Sequence, residues 1–267
     1  MKLLEFTQKY PDEESCIAKL RELRERDVHV CPKCGHKEWY WKGDKLCYEC
    51  KKCHHRESIR KGTVMENSKL PFRYWFVTMH LLTATKNTFS ALELQRQLGH
   101  KRYQPVWEML HKLRSVMGKR DGKYTLKGNV EIDEGFFSTE VKEEEKDDAP
   151  KRGAGSQSKT KVLVMAESES VENPKPGKKE KKVNHIKMVV IPDAKADTID
   201  GVVKVKVDKD SSVVGDGTKS HVHFPDIFKE YSGRKINAED IGKVLPWVHI
   251  AISNAKTRLA GIYHGIK

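Results

Sequence analysis

Four cysteines, Cys31, Cys34, Cys50 and Cys53, form two Cys-x-x-Cys pairs with fifteen residues between them. Such a pair on a tight turn offers two thiolates to one metal ion, and two pairs complete a tetrahedron around zinc. The spacing lies inside the window for a zinc ribbon. With all four positions supplied by protein, the expected site is closed and structural. It would hold one zinc and order a strand-rich knuckle too small to build a core alone. The alternative is two turns with free thiols or disulfides, and disulfides are disfavoured because nothing in the chain reads as secreted. Cys16 and Cys47 are read as non-ligands. His54 or His55 could replace Cys53 only by giving up the Cys-x-x-Cys geometry.

Carboxylates carry the second chemistry. In Val130-Glu131-Ile132-Asp133, alternation puts Glu131 and Asp133 on one strand face and Val130 and Ile132 on the other. An aspartate on a strand that belongs to a core is costly unless something compensates it, and a metal ion commonly does. Asp216 ends another apolar run, Ser211–Gly217 (SSVVGDG). Each aspartate alone also fits a turn or cap. Together they predict two carboxylates delivered to one divalent-metal site by neighbouring strands. His249 and Lys256 are seven residues apart in a helical stretch and so share a face. A lone helical histidine is commonly a satisfied core or surface residue, but the pairing with lysine makes His249 the third candidate ligand. Asn254, pointing elsewhere, is the second choice for that position.

These groups need elements to hold them. Residues 11 to 26 read as a short helix, with Pro11 near its start and Ile17, Leu20 and Leu23 on one face. After the cysteine module, residues 70 to 85 (LPFRYWFVTMHLLTAT) predict a strongly apolar helix packed on both sides. Ser90 and Glu93 match a capping box, followed by Leu92, Leu94 and Leu98 and a stop at Gly99. A third helix is expected from Pro105 through Met117, presenting Trp107, Leu110, Leu113 and Met117. Three short helices with a tight last joint suggest a helix-turn-helix, in which Lys101, Arg102, Gln104, Lys112 and Arg114 would face DNA. An ordinary helical hairpin with a polar outside is the plainer reading. From about residue 127 the pattern changes. GNVEIDEGFF, KTKVLVMAES, NHIKMVVIP and SSVVGDG predict strands of a mixed sheet with helices between them. Residues 138 to 160 and 167 to 182, which include the lysine-rich KPGKKEKK, read as loops. A helix is expected from Asn237 to about Leu259, started or kinked by Pro246.

The expected organisation is therefore multidomain, of the α+β and α/β classes. It comprises an N-terminal helix (1–27), a zinc ribbon (28–62), a helical helix-turn-helix region (63–126) and a C-terminal mixed-sheet domain (127–267). Lysine plus arginine exceed aspartate plus glutamate by 51 to 38, a formal net charge of +13. A structural zinc module on so basic a chain points to nucleic acid, where phosphate neutralisation and counterion release drive binding. No segment is long and apolar enough to span a membrane. The start, MKLLEFTQKYPDEES, turns acidic too soon for a signal peptide, and the expected location is the reducing cytoplasm.

The order of these blocks resembles a known family. A zinc ribbon, then GTVMENSKLPFRYWF, SALELQRQLG, a WxMLHKLR helix, VEIDEGFF, GDG and HIAISNAKTRLAGIYHG is similar to the ISXO-like group of insertion-sequence transposases. The resemblance spans nearly the whole chain and is most specific from Cys31 to Leu113 and in the final NAKTRLAGIYHG. It implies a DDE-type catalytic domain of the ribonuclease-H-like fold, with the catalytic aspartates at Asp133 and Asp216. The family's third position is usually a glutamate seven residues before a lysine or arginine. Counting back from Lys256 lands on His249, and similar relatives tolerate histidine or asparagine there. The resemblance further implies two catalytic divalent ions, Mg2+ or Mn2+, held by Asp133, Asp216 and His249, with Lys256 on DNA phosphate. Double-stranded DNA, both terminal inverted repeats and target, is the implied partner, and a homo-oligomer would hold two ends. The family's chain runs past Tyr-His-Gly into another helix, whereas this sequence stops at Lys267, so a C-terminally shortened domain is expected. Two other classes stay open: a non-catalytic zinc-ribbon and helix-turn-helix regulator, and a protein whose ribbon binds other proteins.

Overall fold

A computed structural model describes residues 1–26, 30–84, 89–139, 159–173, 180–234 and 244–263. The chain divides into two compact units, Met1–Lys119 and Arg120–Lys267.

The first unit opens with α1 (Leu3–Lys9) and α2 (Glu13–Glu25). Asp12 caps α2 by accepting the Ser15 N–H at 2.8 Å. Glu13, the first residue of α2, accepts the Phe72 and Arg73 N–H groups at 2.6 and 2.8 Å. It thereby caps α3 (Phe72–Ala84), whose start carries no acid of its own. Between them lies an antiparallel sheet of β1 (Trp39–Lys42), β2 (Cys47–Cys50) and β3 (Arg56–Ser58). In α4 (Ala91–Leu98), Ser90 accepts the Glu93 N–H at 3.1 Å. Gly99, at φ 63, closes the helix in the left-handed conformation that glycine adopts without strain. α5 runs Tyr103–Asp121, longer at both ends than the sequence suggested. Its buried face is Val106, Met109, Leu110 and Leu113, whereas Trp107 and Met117 are exposed. Helical spacing of apolar residues fits both registers, and packing selects the first. One core gathers Phe6, Cys16, Leu20, Tyr48, Ile59, Trp75, Leu94 and Leu110. The N-terminal helices, the small sheet and the later helices therefore share a single interior.

The second unit contains β4 (Asn129–Ser138), β5 (Lys159–Ser170), β6 (Lys181–Ile191), α6 (Ala196–Lys206), β7 (Ser212–Gly215), α7 (Phe224–Ile227), β8 (Glu230–Gly233) and α8 (Pro246–Ile262). The sheet order is β6-β5-β4-β7-β8. The β4–β5 and β5–β6 pairs are antiparallel, and β4–β7 and β7–β8 are parallel. Val130, Ile132, Leu163, Met165 and Val213 meet Ile199 and Val203 of α6 on one face. Phe137, Val162, Val164 and Ala166 meet Val248, Ala251 and Ile252 of α8 on the other. Covering both faces explains why β5 reads as one continuous apolar run. β5 and β6 extend at residues 167–170 and 181–182 into a stretch expected as loop. α8 begins at Pro246, which stands at the first helical position, where a missing N–H costs nothing. Most of the segments expected as charged loops, and residues 237–243 of the expected helix, lie outside the described residues.

Candidate functional site

Among the described residues, three groups of side chains have ligand atoms close enough to share a metal ion: Cys31, Cys34, Cys50 and Cys53; Glu134, Asp216 and His221; and Asp197, Asp200 and His223.

The cysteine quartet is set by the small sheet. Cys50 ends β2, and the turn that follows folds back through the His54 N–H on the Cys50 carbonyl at 3.0 Å. Cys31 begins a matching turn, its carbonyl accepting the Gly35 N–H at 2.9 Å. Sγ of Cys31 lies 3.6 Å from that of Cys53, and Cys34 Sγ lies 3.6 Å from Cys50 Sγ. A regular tetrahedron with Zn–S bonds of about 2.3 Å has edges of about 3.8 Å, so the four sulfurs fit that ion. Burial would raise the Cys50 thiol, but the N–H groups of Cys53 and Lys52 and the neighbouring sulfurs bring it down to about 6. Cys16 and Cys47 lie outside the quartet. His54 instead faces Glu49, with Nδ1 3.6 Å from Oε1.

In the second unit the acids converge where β7 ends. β4 and β7 pair in parallel as far as Glu131 and Val214. Asp216 follows the last residue of β7 and is near enough to Asp133 for its charge to act on that carboxyl. On the α8 face of the sheet, buried Glu131 accepts the Trp247 and Val248 N–H groups at 2.8 and 3.1 Å. It caps α8 and fixes the first turn of that helix over β4. His249 then stands over Asp133, with Nδ1 3.9 Å from Oδ2. His249 Nε2 is buried and has no hydrogen-bond partner. Burial raises the Glu131 carboxyl, opposed by the Val248 and Trp247 N–H groups.

On the α6 face, Glu134 and Asp216 flank buried His221. Its Nε2 lies 3.2 Å from Glu134 Oε1, and its Nδ1 lies 3.2 Å from Asp216 Oδ1. Ser220 Oγ donates to Glu134 Oε1 at 2.9 Å, and the Thr218 N–H donates to Asp216 Oδ1 at 3.1 Å. Burial, then the charges of Asp216 and Glu134, push the Asp133 carboxyl up to about 6, against the Glu134 N–H and His249. Asp216 is held low despite burial, because His221 and the Thr218 N–H favour its charged form.

Asp133 is paired with His249 and feels the charge of Asp216, whereas Asp216 shares its close group with Glu134 and His221. A divalent cation near Asp133 would offset the repulsion acting on it. Of the sequence-derived residues, Asp133 and His249 are in contact, and Asp216 lies with Glu134 and His221. Lys256, two turns along α8, is exposed with Nζ 5.8 Å from the Phe137 ring centroid, and Asn254 is exposed. Glu131, Glu134 and His221 were missed. Only Glu131 carried a signal, its place two residues before Asp133 on the same face.

Lys101, Arg102 and Gln104 are exposed at the joint of α4 and α5, which the Gln95 amide braces on the His100 and Lys101 carbonyls. Lys112 and Arg114 instead donate to the carbonyls of Glu66 and Phe89, at 2.6 and 3.2 Å. A cleft of about 490 Å³ beside this joint is lined by Lys69, His100, Arg102 and Lys112 among others. Among the described residues, no helix is long and apolar enough to cross a membrane.

No curated protein and no solved structure matches this chain. Residues 125–267, more than half of it, match the family described as the ISXO2-like transposase domain, and the chain belongs to that family.

Proposed function

We propose that this member of the ISXO2-like transposase family cuts and joins DNA strands at the ends of an insertion sequence, using Asp133, Asp216 and His249 as its catalytic metal-binding residues. The observation that supports the reading is Asp133 on β4 lying 3.9 Å from His249 of α8 while its carboxyl is raised by the charge of Asp216. The five-stranded mixed sheet between α6 and α8 fits the ribonuclease-H-like fold of DDE enzymes.

Asp133 and Asp216 are the oxygen donors for two divalent ions, and His249 is the nitrogen donor at the third position. When bound, such ions supply Lewis-acid activation of a water or a 3′-hydroxyl and stabilise the departing oxygen of the phosphodiester. Because Asp133 sits among acids, its carboxylate is poised to bind a cation instead of a proton at neutral pH. The mixed donor set favours Mn2+ over Mg2+, whose preference is for oxygen alone. Glu131 keeps α8, and hence His249, at the correct height over β4. Lys256, seven residues along α8 from His249, is the proposed contact to a DNA phosphate.

The N-terminal unit recognises the terminal repeats. One structural zinc on the four cysteines rigidifies the small sheet. Lys101, Arg102 and Gln104 at the exposed joint are the leading DNA contacts. Lys112 and Arg114 must leave backbone carbonyls to take part. Strand transfer needs a homo-oligomer that holds two ends.

The test is incubation of the protein with labelled DNA carrying the sequences that flank its gene, in Mn2+ or Mg2+. Metal-dependent nicking or joining at the element ends is expected, stronger in Mn2+ and lost in Asp133→Ala. Salt-sensitive binding to those ends without cleavage in either metal would overturn the catalytic assignment and favour a DNA-binding regulator.

A further inference from the structure

We infer that His221 is a positioning residue for the metal site: from the opposite face of the sheet it grips Asp216 and Glu134 and presets the Asp216 carboxylate for a divalent ion. The inference rests on the reading of Asp216 as a metal ligand.

Alternation along β4 puts Asp133 on the α8 face and Glu134 on the α6 face. Asp216, which follows the last residue of β7, groups with Glu134 and His221, and its charge also acts on Asp133. His221 lies on the α6 side, stacked on Phe224 with ring centroids 4.5 Å apart and planes inclined by 18°. Phe224 is itself a fully buried member of the core beneath α6. The imidazole side chain is completely enclosed, so it does not reach substrate. Its two nitrogens each approach one carboxylate oxygen at 3.2 Å, as ion-pair contacts that are not aligned as hydrogen bonds. Both the His221 contact and the Thr218 N–H fall on Oδ1 of Asp216, and neither uses Oδ2. Histidine and carboxylate partners that orient a metal ligand in this way commonly change metal affinity by about 10- to 100-fold when removed.

The backbone around His221 is shaped for it. A Cβ added at Gly215 would lie 2.8 Å from His221 Nδ1 and 3.2 Å from the Tyr231 hydroxyl. The turn Lys219–His221 brings Ser220 onto Glu134 while His221 reaches between the two acids. Glu134 thus steadies the imidazole from one side so that the other side can hold Asp216.

The two ends of the imidazole can be tested separately. An asparagine amide at this position reaches about as far as Nδ1, whereas a glutamine amide reaches about as far as Nε2. Mn2+ binding to the zinc-loaded full chain is measured by the electron paramagnetic resonance of free Mn2+. His221→Asn retains the Asp216 contact and is expected to weaken Mn2+ binding by a few-fold. His221→Gln loses it and is expected to weaken binding by about tenfold. Circular dichroism confirms that each variant is folded. Wild-type affinity in both variants, or the reverse order, overturns the inference. If neither variant folds, Glu134→Gln carries the test: loosening the imidazole from its other side must weaken Mn2+ binding several-fold, and unchanged affinity overturns the inference. Asp216→Asn separates the two levels. Unchanged Mn2+ binding there refutes the ligand assignment itself, whereas lost binding there beside intact binding in the His221 variants refutes only the positioning role.

Discussion

At the scale of single residues, the site holds charges that the fold tolerates at a cost. Asp133 is pushed up to about 6 by burial and by Asp216 and Glu134. An acid whose pKa is higher in the folded state weakens the fold on ionising, so stability falls as pH rises from about 4 through 6. His221 has the opposite linkage. Burial alone would lower it, but Asp216 and Glu134 raise it to about 9. The stability it contributes is fully present below about pH 6.5 and lost as pH rises through about 9. For zinc-loaded protein free of Mg2+ and Mn2+, Asp133→Asn is therefore expected to be more stable than wild type at pH 7. At about 1.4 kcal/mol per pKa unit, the gain is at most about 3 kcal/mol and disappears below about pH 4. Urea denaturation across that range measures it, and equal stabilities at pH 7 would refute the electrostatic account. Asp133 and Asp216 were legible in the sequence because each interrupts or ends an apolar strand. Glu134 and His221 were not, because a pairing across 87 positions of chain exists only once β4 and β7 lie side by side.

At the scale of elements, short-range chemistry that is complete within a segment was readable. Ser90 and Gly99 bracket α4, and the apolar runs became β4 to β7. Elements held by distant partners were not. α1 is too short for periodicity to register. β8, Glu230–Gly233, exists because β7 pairs with it, and its own sequence has no apolar run. Pro246 marked the start of α8, but the cap on that start was not readable, since it comes from Glu131, more than 100 residues earlier. This cap yields a prediction at the level of the helix. Glu131→Ala removes a buried acceptor from two N–H groups and should destabilise the second unit by about 1–3 kcal/mol. Loss of the cap also frees His249 from its place over Asp133, so Mn2+ affinity should fall with it. Glu131→Gln, which still accepts through its amide oxygen, should recover most of both. Calorimetry and Mn2+ titration on the same samples decide it, and an Ala variant with unchanged unfolding and binding would show that α8 is placed by Val248 and Ile252 alone.

At the scale of the whole chain, two interiors are built on different principles. The second unit buries apolar side chains on both faces of a five-stranded sheet and has no need of a metal to form. The first spreads a core over short elements and includes Tyr48 of the small sheet, next to the strand residue Cys50 that the zinc would bind. Only that sheet is too small to order itself, yet its residues are part of the common core, so loss of zinc should propagate into α2, α3 and α5. Structural zinc sites contribute folding free energy directly, and chelators unfold the modules that depend on them. Removal of zinc with a strong chelator is thus expected to lower the unfolding temperature of the first unit by tens of degrees or abolish its transition, while leaving that of the second within a few degrees. Cys50→Ser should mimic the chelator in the presence of zinc. Differential scanning calorimetry of the intact chain, with fragments assigned by limited proteolysis, separates the two transitions. A single transition lowered as a whole would mean that the two interiors unfold as one cooperative body. No change in either transition would mean that the four sulfurs hold no zinc and that hydrophobic packing alone orders the small sheet.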